Sequence, residues 1–375
     1  MDLLVLAEVR WGYFRTRKQF LLSRFPGRWR VFYAQPPAFG ADDPWEPRQE
    51  GGVTYFTVPF LKPGTTSPLY NSAIGTRAGR ALAERGAEWH LGRMLGRLGV
   101  DPDPVVLDSN IYAAGLLSRL RKKLVFYDFN DSPFQFAGVP EWAGGYWRRT
   151  LGQVDTFFVV SEYYRRQLSQ QTSRPLVLLG NGVEFGHFAT PHPEPPELAA
   201  LPRPHIGYIG LLSHFLDFDA LEALRRARRG GTLVLIGPGT PATDGAVREL
   251  AGREGVAVLG PRPYADLPGY MQGFDVGVIP FRANDPHVQG INPNKVYQYL
   301  AAGVPVVTTP VLDLEPAPPT LQFAATPAAM AAAVSAALAA PRAADAARER
   351  ARGHDWDALA AQMVSAIERR LGGTA

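Results

Sequence analysis

Short apolar runs alternate with amphipathic segments along most of this chain, and the alternation happens twice. In the first half "DLLVLAEV", "RVFYA", "VTYFTV", "PVVLDS", "KLVFYD", "TFFVVS" and "LVLLG" read as strands, with helical stretches at 71–99, 111–121 and 162–171. Strands this apolar, joined by helical crossovers, imply a parallel sheet covered on both faces. The stretch "HFATPHPEPPELAALPRP" (187–204) then breaks the pattern, and its proline density reads as a linker rather than a buried element. "HIGYIG", "TLVLIG", "VAVLG", "FDVGVIP" and "VPVVTT" restart it, with helices near 217–228, 243–252, 264–273 and 293–302. An alanine-rich tail over 328–371 reads as two or three more helices. The expected class is α/β, with two doubly wound Rossmann-like domains facing a cleft. The expected division is 1–186, a linker at 187–203, 204–352, and a terminal helix over 353–375 that packs back on the first domain.

Composition narrows the function classes. The 375 residues are 46% hydrophobic and 20% charged, ordinary globular values for a two-domain chain. There is no cysteine, which excludes disulfides, thiolate zinc sites and cysteine nucleophiles. "MDLLVLAEVR" lacks the basic start and long apolar core of a signal peptide, and no apolar run approaches the roughly 18 residues of a membrane span. A cytoplasmic protein, or one peripheral on the inner face of the cytoplasmic membrane, is expected. The net charge of +4 is uneven: residues 1–190 carry 23 Lys+Arg against 17 Asp+Glu, and the remainder 16 against 18. Clusters at 15–18, 119–123 and 148–149 either solvate a surface or meet an anionic membrane or phosphorylated acceptor. No nucleic-acid motif accompanies them, so nucleic acid is not expected.

Open α/β sheets bind ligands beyond the carboxyl ends of their strands, so the strand-to-helix turns hold the candidates. Gly12 follows the first strand and allows close backbone approach. Its context is not G-x-G-x-x-G, which disfavours a dinucleotide, and no cofactor is expected. Asp128 and Asp131 in "YDFND" could orient a hydroxyl or act as a base. No histidine–carboxylate cluster or D-x-D motif marks a metal site. In the second half Gly210 opens a turn whose Ser213 and His214 could donate to a phosphate or sugar. Gly237 lies in "GPG". Arg262, Pro263 and Tyr264 form a turn whose backbone could read a base edge, with Tyr264 stacking on it.

The stretch "NPNKVYQYLAAGVPVVTT" (292–309) is the most informative. Asn292 is placed to cap a helix, Pro293 suits its first turn and Gly303 ends it. Val296, Tyr299 and Leu300 share a core face, while Lys295 and Gln298 share another at the open end. Such a helix N-terminus is an anion site. Lys295 is one of only five lysines among 39 basic residues, and a compact ammonium here suggests a phosphate partner. Asn294 and Arg282 flank it.

With these residues in view the chain resembles nucleotide-sugar glycosyltransferases of the GT-B fold. It looks most like the retaining family 4 and its teichuronic-acid biosynthesis branch. The resemblance rests on "GPRPYADLP", "FDVGVIPF", the Asn292-Pro293-Asn294-Lys295 start with Tyr299-Leu300-Ala301-Ala302-Gly303, and "RTRKQFL", "YDFND" and "VVSEYYRRQL" in the first half. It implies that Arg262 to Tyr264 hold the base and residue 298 the ribose. Lys295, the helix start and Gly12 would surround the diphosphate, and the first domain would hold the acceptor. The donor would be a nucleoside-diphosphate sugar, UDP or GDP, and the acceptor a cell-envelope glycan or lipid-linked sugar. Two features depart from the pattern. Gln298 and Gly290 replace carboxylates, and the turn after Gly210 lacks the basic residues of many relatives. A degenerate sugar-nucleotide-binding scaffold and a nucleotide-sugar epimerase therefore stand as alternatives.

Overall fold

Most of the apolar runs form strands buried on both faces, while Leu176–Leu178 and Val256–Gly260, at the sheet edges, are only partly buried. The computed structural model describes residues 1–12, 15–38, 43–65, 67–134 and 138–372; the last three residues of the expected terminal helix lie outside them. The chain divides into two compact units, one made of Met1–Gly180 with residues 359–372, the other of Asn181–Ala358.

The first unit is built on β1 (Asp2–Leu6), β2 (Arg30–Gln35), β3 (Arg48–Glu50), β4 (Val53–Thr57), β5 (Val105–Asp108), β6 (Val125–Phe129), β7 (Thr156–Val159) and β8 (Leu176–Leu178). They form one sheet in the order β3-β4-β2-β1-β5-β6-β7-β8. All pairs are parallel except β3–β4, which is antiparallel. β3 is polar and exposed along its length and carries no apolar signal, which is why the sequence reading did not include it.

The second unit contains β9 (His205–Ile209), β10 (Thr232–Ile236), β11 (Val256–Gly260), β12 (Val276–Ile279), β13 (Val306–Thr308) and β14 (Leu321–Phe323). Its sheet order is β11-β10-β9-β12-β13-β14, the doubly wound arrangement in which the strand order reverses between β9 and β12. Alternate residues serve opposite faces. Leu233 and Leu235 of β10 pack with Ile206 and Tyr208 on one side, while Val234 and Ile236 pack with Ile209 on the other.

One expectation changes here. The proline-rich segment is not a free linker. It carries the short helices Phe185–Ala189 and Pro196–Ala199, and Phe188 and Leu198 are fully buried in the core of the second unit. Each buried side chain of this kind contributes roughly 1.5–3 kcal/mol, enough to fasten an otherwise polar segment. The helix Trp356–Gly372 begins in the second unit and ends in the first, where Glu368 accepts from Arg28 Nε at 2.8 Å and Trp29 Nε1 at 3.0 Å.

The basic clusters at 15–18 and 119–123 are largely paired within the first unit. Arg17 is buried and pairs with Asp128 of β6 at 3.0 Å, and it donates to the Gly180 carbonyl at 2.5 Å. Lys18 pairs with Glu8 at 2.5 Å. Arg119 meets Glu88 at 3.3 Å, while Arg121 and Lys123 meet Asp103 and Asp101 at 2.8 Å. The Asp128 carboxylate, a candidate base in the sequence, is engaged by Arg17. Removing one partner of such a pair strands the other charge. Asp128→Ala should therefore cost about 3–5 kcal/mol in denaturant unfolding, while Arg17→Met with Asp128→Leu should cost clearly less.

Candidate functional site

At the strand reversal of the second sheet, β9 ends at Gly210 and the helix Asn294–Ala301 begins nearby. Val296, Tyr299 and Leu300 anchor that helix in the core, and Gly303 closes it with φ +75°. With its apolar face fixed, Lys295 is fixed too. Its ammonium donates to the Tyr208 hydroxyl at 3.0 Å and lies over the Tyr208 and Phe281 rings at 4.6 and 5.1 Å. Among the described residues no carboxylate pairs with it. The surrounding protein disfavours the charge, and burial lowers the Lys295 pKa to about 8.

Glycine is required opposite this lysine. Gly210 has φ +146°, and a Cβ there would stand 2.5 Å from Lys295 Nζ. Gly237, at the end of β10 with φ +142°, would place its Cβ 2.0 Å from the Gly210 carbonyl oxygen. The three positions thus form one close-packed floor at the carboxyl edge of the sheet. Asn294 is the first residue of the helix and Gln298 lies one turn beyond Lys295, half-buried.

The turn after Gly210 supplies Ser213, which is buried, and His214, which is exposed. Phe215 separates two imidazoles: its ring lies 4.0 Å from that of His214 and stacks on His287 at 4.4 Å. Burial lowers the His287 pKa, with Asp285 opposing. Arg282 fastens this turn, its backbone N–H donating to Phe215 O at 2.9 Å and its Nε to Leu216 O at 3.3 Å.

Contacts within the fold alter one expected role and engage the side chains of two further candidates. Asn292 does not cap the helix; Pro293 holds that position. The Asn292 side chain accepts from Asn181 N at 3.3 Å, and its carbonyl accepts from Asn181 Nδ2 at 2.7 Å, which ties the loop to the start of the second unit. The Arg262 guanidinium is held by Glu197 at 2.7 Å and by the Tyr270 hydroxyl at 2.8 Å, which fastens the turn whose backbone is the expected base reader. Tyr264 stacks on His187 with centroids 5.0 Å apart, so one ring face is already covered. Pro263 precedes the short turn Tyr264–Asp266 and is exposed.

The remaining candidates fall in the first unit. A pocket of about 540 Å³ opens beyond β1, β5 and β6, and its lining includes Glu8, Lys18, Ser109, Asn110, Asp128 and Asp131. Ser109 and Lys18 both donate to the Glu8 carboxylate. Burial works against the Lys18 ammonium, but Glu8 and Asp128 outweigh it and raise its pKa. Burial pushes the Asp131 carboxyl up to about 6 against the pull of Lys18, and Asn130 donates to it at 3.0 Å. Gly12 is not part of this pocket; it borders a separate hollow of about 390 Å³ with Trp11, Arg15 and Gln19. Among the described residues no group of three potential ligands could hold a metal ion.

Sequence reasoning missed Tyr208, Glu8 and the Ser109–Asn110 pair. Tyr208 carries no signal, since an aromatic inside a strand reads as core. Glu8 does carry one: it is a lone carboxylate at the carboxyl end of an apolar strand.

Known proteins share the fold that carries these residues. Residues 203–340 match the glycosyl transferases group 1 family. A Bacillus subtilis (strain 168) protein named as the teichuronic acid biosynthesis glycosyltransferase TuaH is 27% identical over 166 residues, 43% of this chain. The match spans 42% of that relative's length. The sucrose-phosphate synthase of Thermosynechococcus elongatus superposes with a TM-score of 0.74 over 100% of both chains, at 17% identity. Anabaena Alr3699/HepE, solved with UDP and glucose, gives 0.68 over 98% of this chain and 100% of its own, at 15% identity. The fold is therefore that of the GT-B glycosyltransferases, with two parallel α/β sheets.

Because Gly210 and Lys295 compete for one volume, their substitutions should couple. Gly210→Ala should lower the unfolding free energy, and adding Lys295→Ala should restore part of the loss, with a coupling of roughly 0.5–3 kcal/mol in a double-mutant cycle.

Proposed function

We propose that this chain transfers a sugar from a nucleoside diphosphate, UDP or GDP, to a cell-envelope glycan or lipid-linked acceptor. One observation carries the proposal: a lysine ammonium without a carboxylate partner, crowded at the strand reversal of a doubly wound sheet. An anion is the partner such a charge lacks, and a diphosphate places one there as it leaves. The glycosidic bond from the anomeric carbon to the diphosphate breaks, and charge develops on the departing oxygen. Lys295 and the first turn of its helix stabilise that charge without a covalent nucleophile. Gln298 hydrogen-bonds the ribose, and the backbone of the Arg262–Tyr264 turn meets the base. Ser213 and His214 contact the phosphate or sugar.

The acceptor binds the pocket of the first unit, where Asp131 accepts a hydrogen bond from the attacking hydroxyl. The group 1 match and the Bacillus subtilis relative support sugar transfer and an envelope polysaccharide setting. The solved Anabaena complex with UDP and glucose supports UDP within the same fold. Family 4 membership, retention of configuration and action at the inner face of the cytoplasmic membrane are parts of the same proposal.

Gln298 and Gly290 favour one further reading, a binding protein that has lost turnover. Diphosphate binding without acceptor-dependent product would select it.

Calorimetric titration with UDP and GDP tests the donor site. Lys295→Ala should weaken the preferred diphosphate roughly tenfold to a hundredfold, from about 1.5–3 kcal/mol for a hydrogen bond to a charged group. Unchanged affinity would remove Lys295 from the site. The lowered pKa adds a signature of its own. The ammonium deprotonates as pH rises through about 8, so affinity should fall there. The bound anion should restore the proton, giving proton uptake that shows as buffer-dependent heat. Asp131 acts as the carboxylate, so turnover should decline as pH falls through about 6. Asp131→Asn should flatten that limb while leaving diphosphate affinity intact.

A further inference from the structure

The helix Arg77–Arg97 carries apolar residues on two faces, and the core explains only one of them. Glu84, Ala87, Leu91 and Met94 are buried against the first sheet. On the opposite side Leu82 is 73% exposed and Trp89 66% exposed. They lie seven residues apart, so two helical turns align them on one stripe. Arg85 sits between them on the same side, and Arg93 follows with its guanidinium 5.7 Å from the centre of the Trp89 ring. The preceding helix, Pro68–Gly75, adds Leu69 at 85% exposure, and Trp45, 46% exposed, stands edge-on to His90.

The charges on this helix are sorted by face. Its only acids, Glu84 and Glu88, point away from the stripe and meet Arg119 at 3.6 and 3.3 Å. Arg97 is taken by Glu46 at 2.8 Å. Among the described residues no carboxylate forms an ion pair with Arg85 or Arg93, and both are exposed. The outward face is thus cationic and apolar together, with Glu46 at its end engaged by Arg97.

The geometry points to an anionic lipid surface as the partner of this face. Leu82 and Trp89 enter the boundary between head groups and acyl chains, where an indole is well accommodated. Arg85 and Arg93 pair with lipid phosphates. Most of the charges at 15–18 and 119–123 are already paired with carboxylates: Arg17 with Asp128, Lys18 with Glu8, Arg119 with Glu88, Arg121 with Asp103 and Lys123 with Asp101. The inference stands on the first unit alone and does not depend on the sugar-transfer reading.

Co-sedimentation of the full chain with vesicles tests it. Binding is expected to phosphatidylcholine vesicles containing phosphatidylglycerol, weakening with added salt, and not to phosphatidylcholine alone. Leu82→Ser with Trp89→Ser should reduce partitioning roughly tenfold or more. Arg85→Gln and Arg93→Gln should each cost about fivefold. Leu312→Ser, at an exposed site in the second unit, should change nothing, and circular dichroism should show all variants folded. Equal binding to both vesicle types, or helix variants that sediment like the parent, would overturn the inference. So would a dimer formed without lipid and abolished by the same substitutions, which would give the face to a second copy of the chain.

Discussion

A lysine ammonium resting on two aromatic rings, with no carboxylate to neutralise it, sets the terms for everything around it in the second unit. Keeping the charge crowded costs free energy, visible as a pKa lowered to about 8. The surrounding structure holds it there regardless. Val296, Tyr299 and Leu300 fix the helix that carries it, Tyr208 gives its ammonium an oxygen, and Gly210 withholds the Cβ that would displace it. Gly237 then makes room for the Gly210 carbonyl. The restrictions pass from side chain to backbone to neighbouring strand, and their common effect is an unmatched positive charge at the reversal of the sheet.

The first unit handles charge in the opposite way. Arg17, Lys18, Glu8 and Asp128 are brought together at the ends of its strands and largely cancel. Asp131, beside them, keeps a carboxyl that titrates near 6. A pocket lined by matched ions and hydroxyl-bearing side chains suits a neutral polyol better than a phosphate. The two units therefore differ in chemistry although both are doubly wound parallel sheets.

Much of this was legible in the sequence because buried parallel strands leave long apolar runs. What escaped was polar, short or non-local. β3 has no apolar residue to reveal it, and the helix Ala143–Gln153 hides its buried face among glycines and arginines. Phe188 and Leu198 were overlooked because the prolines around them dominate the composition. Lys295 stood out through the rarity of lysine and the regular helix behind it. Tyr208, its hydrogen-bond partner, lies 87 residues away in a strand where an aromatic looks ordinary. Arg17 read as a surface or anion-binding charge for a similar reason, since Asp128 is 111 residues distant and only the folded sheet brings them together. Local periodicity announces the elements, whereas the pairing of charges depends on topology.

The helix Trp356–Gly372 has a consequence for how the chain is made. The first unit draws its main part from Met1–Gly180 and the rest from residues after 358. During synthesis its sheet strands emerge first, yet Arg28 and Trp29 must wait for Glu368, 340 and 339 residues later. The whole second unit is translated in the interval, with a chance to fold before its neighbour is complete. Vectorial synthesis thus inverts the order suggested by the sequence: the unit that starts first is the one that finishes last.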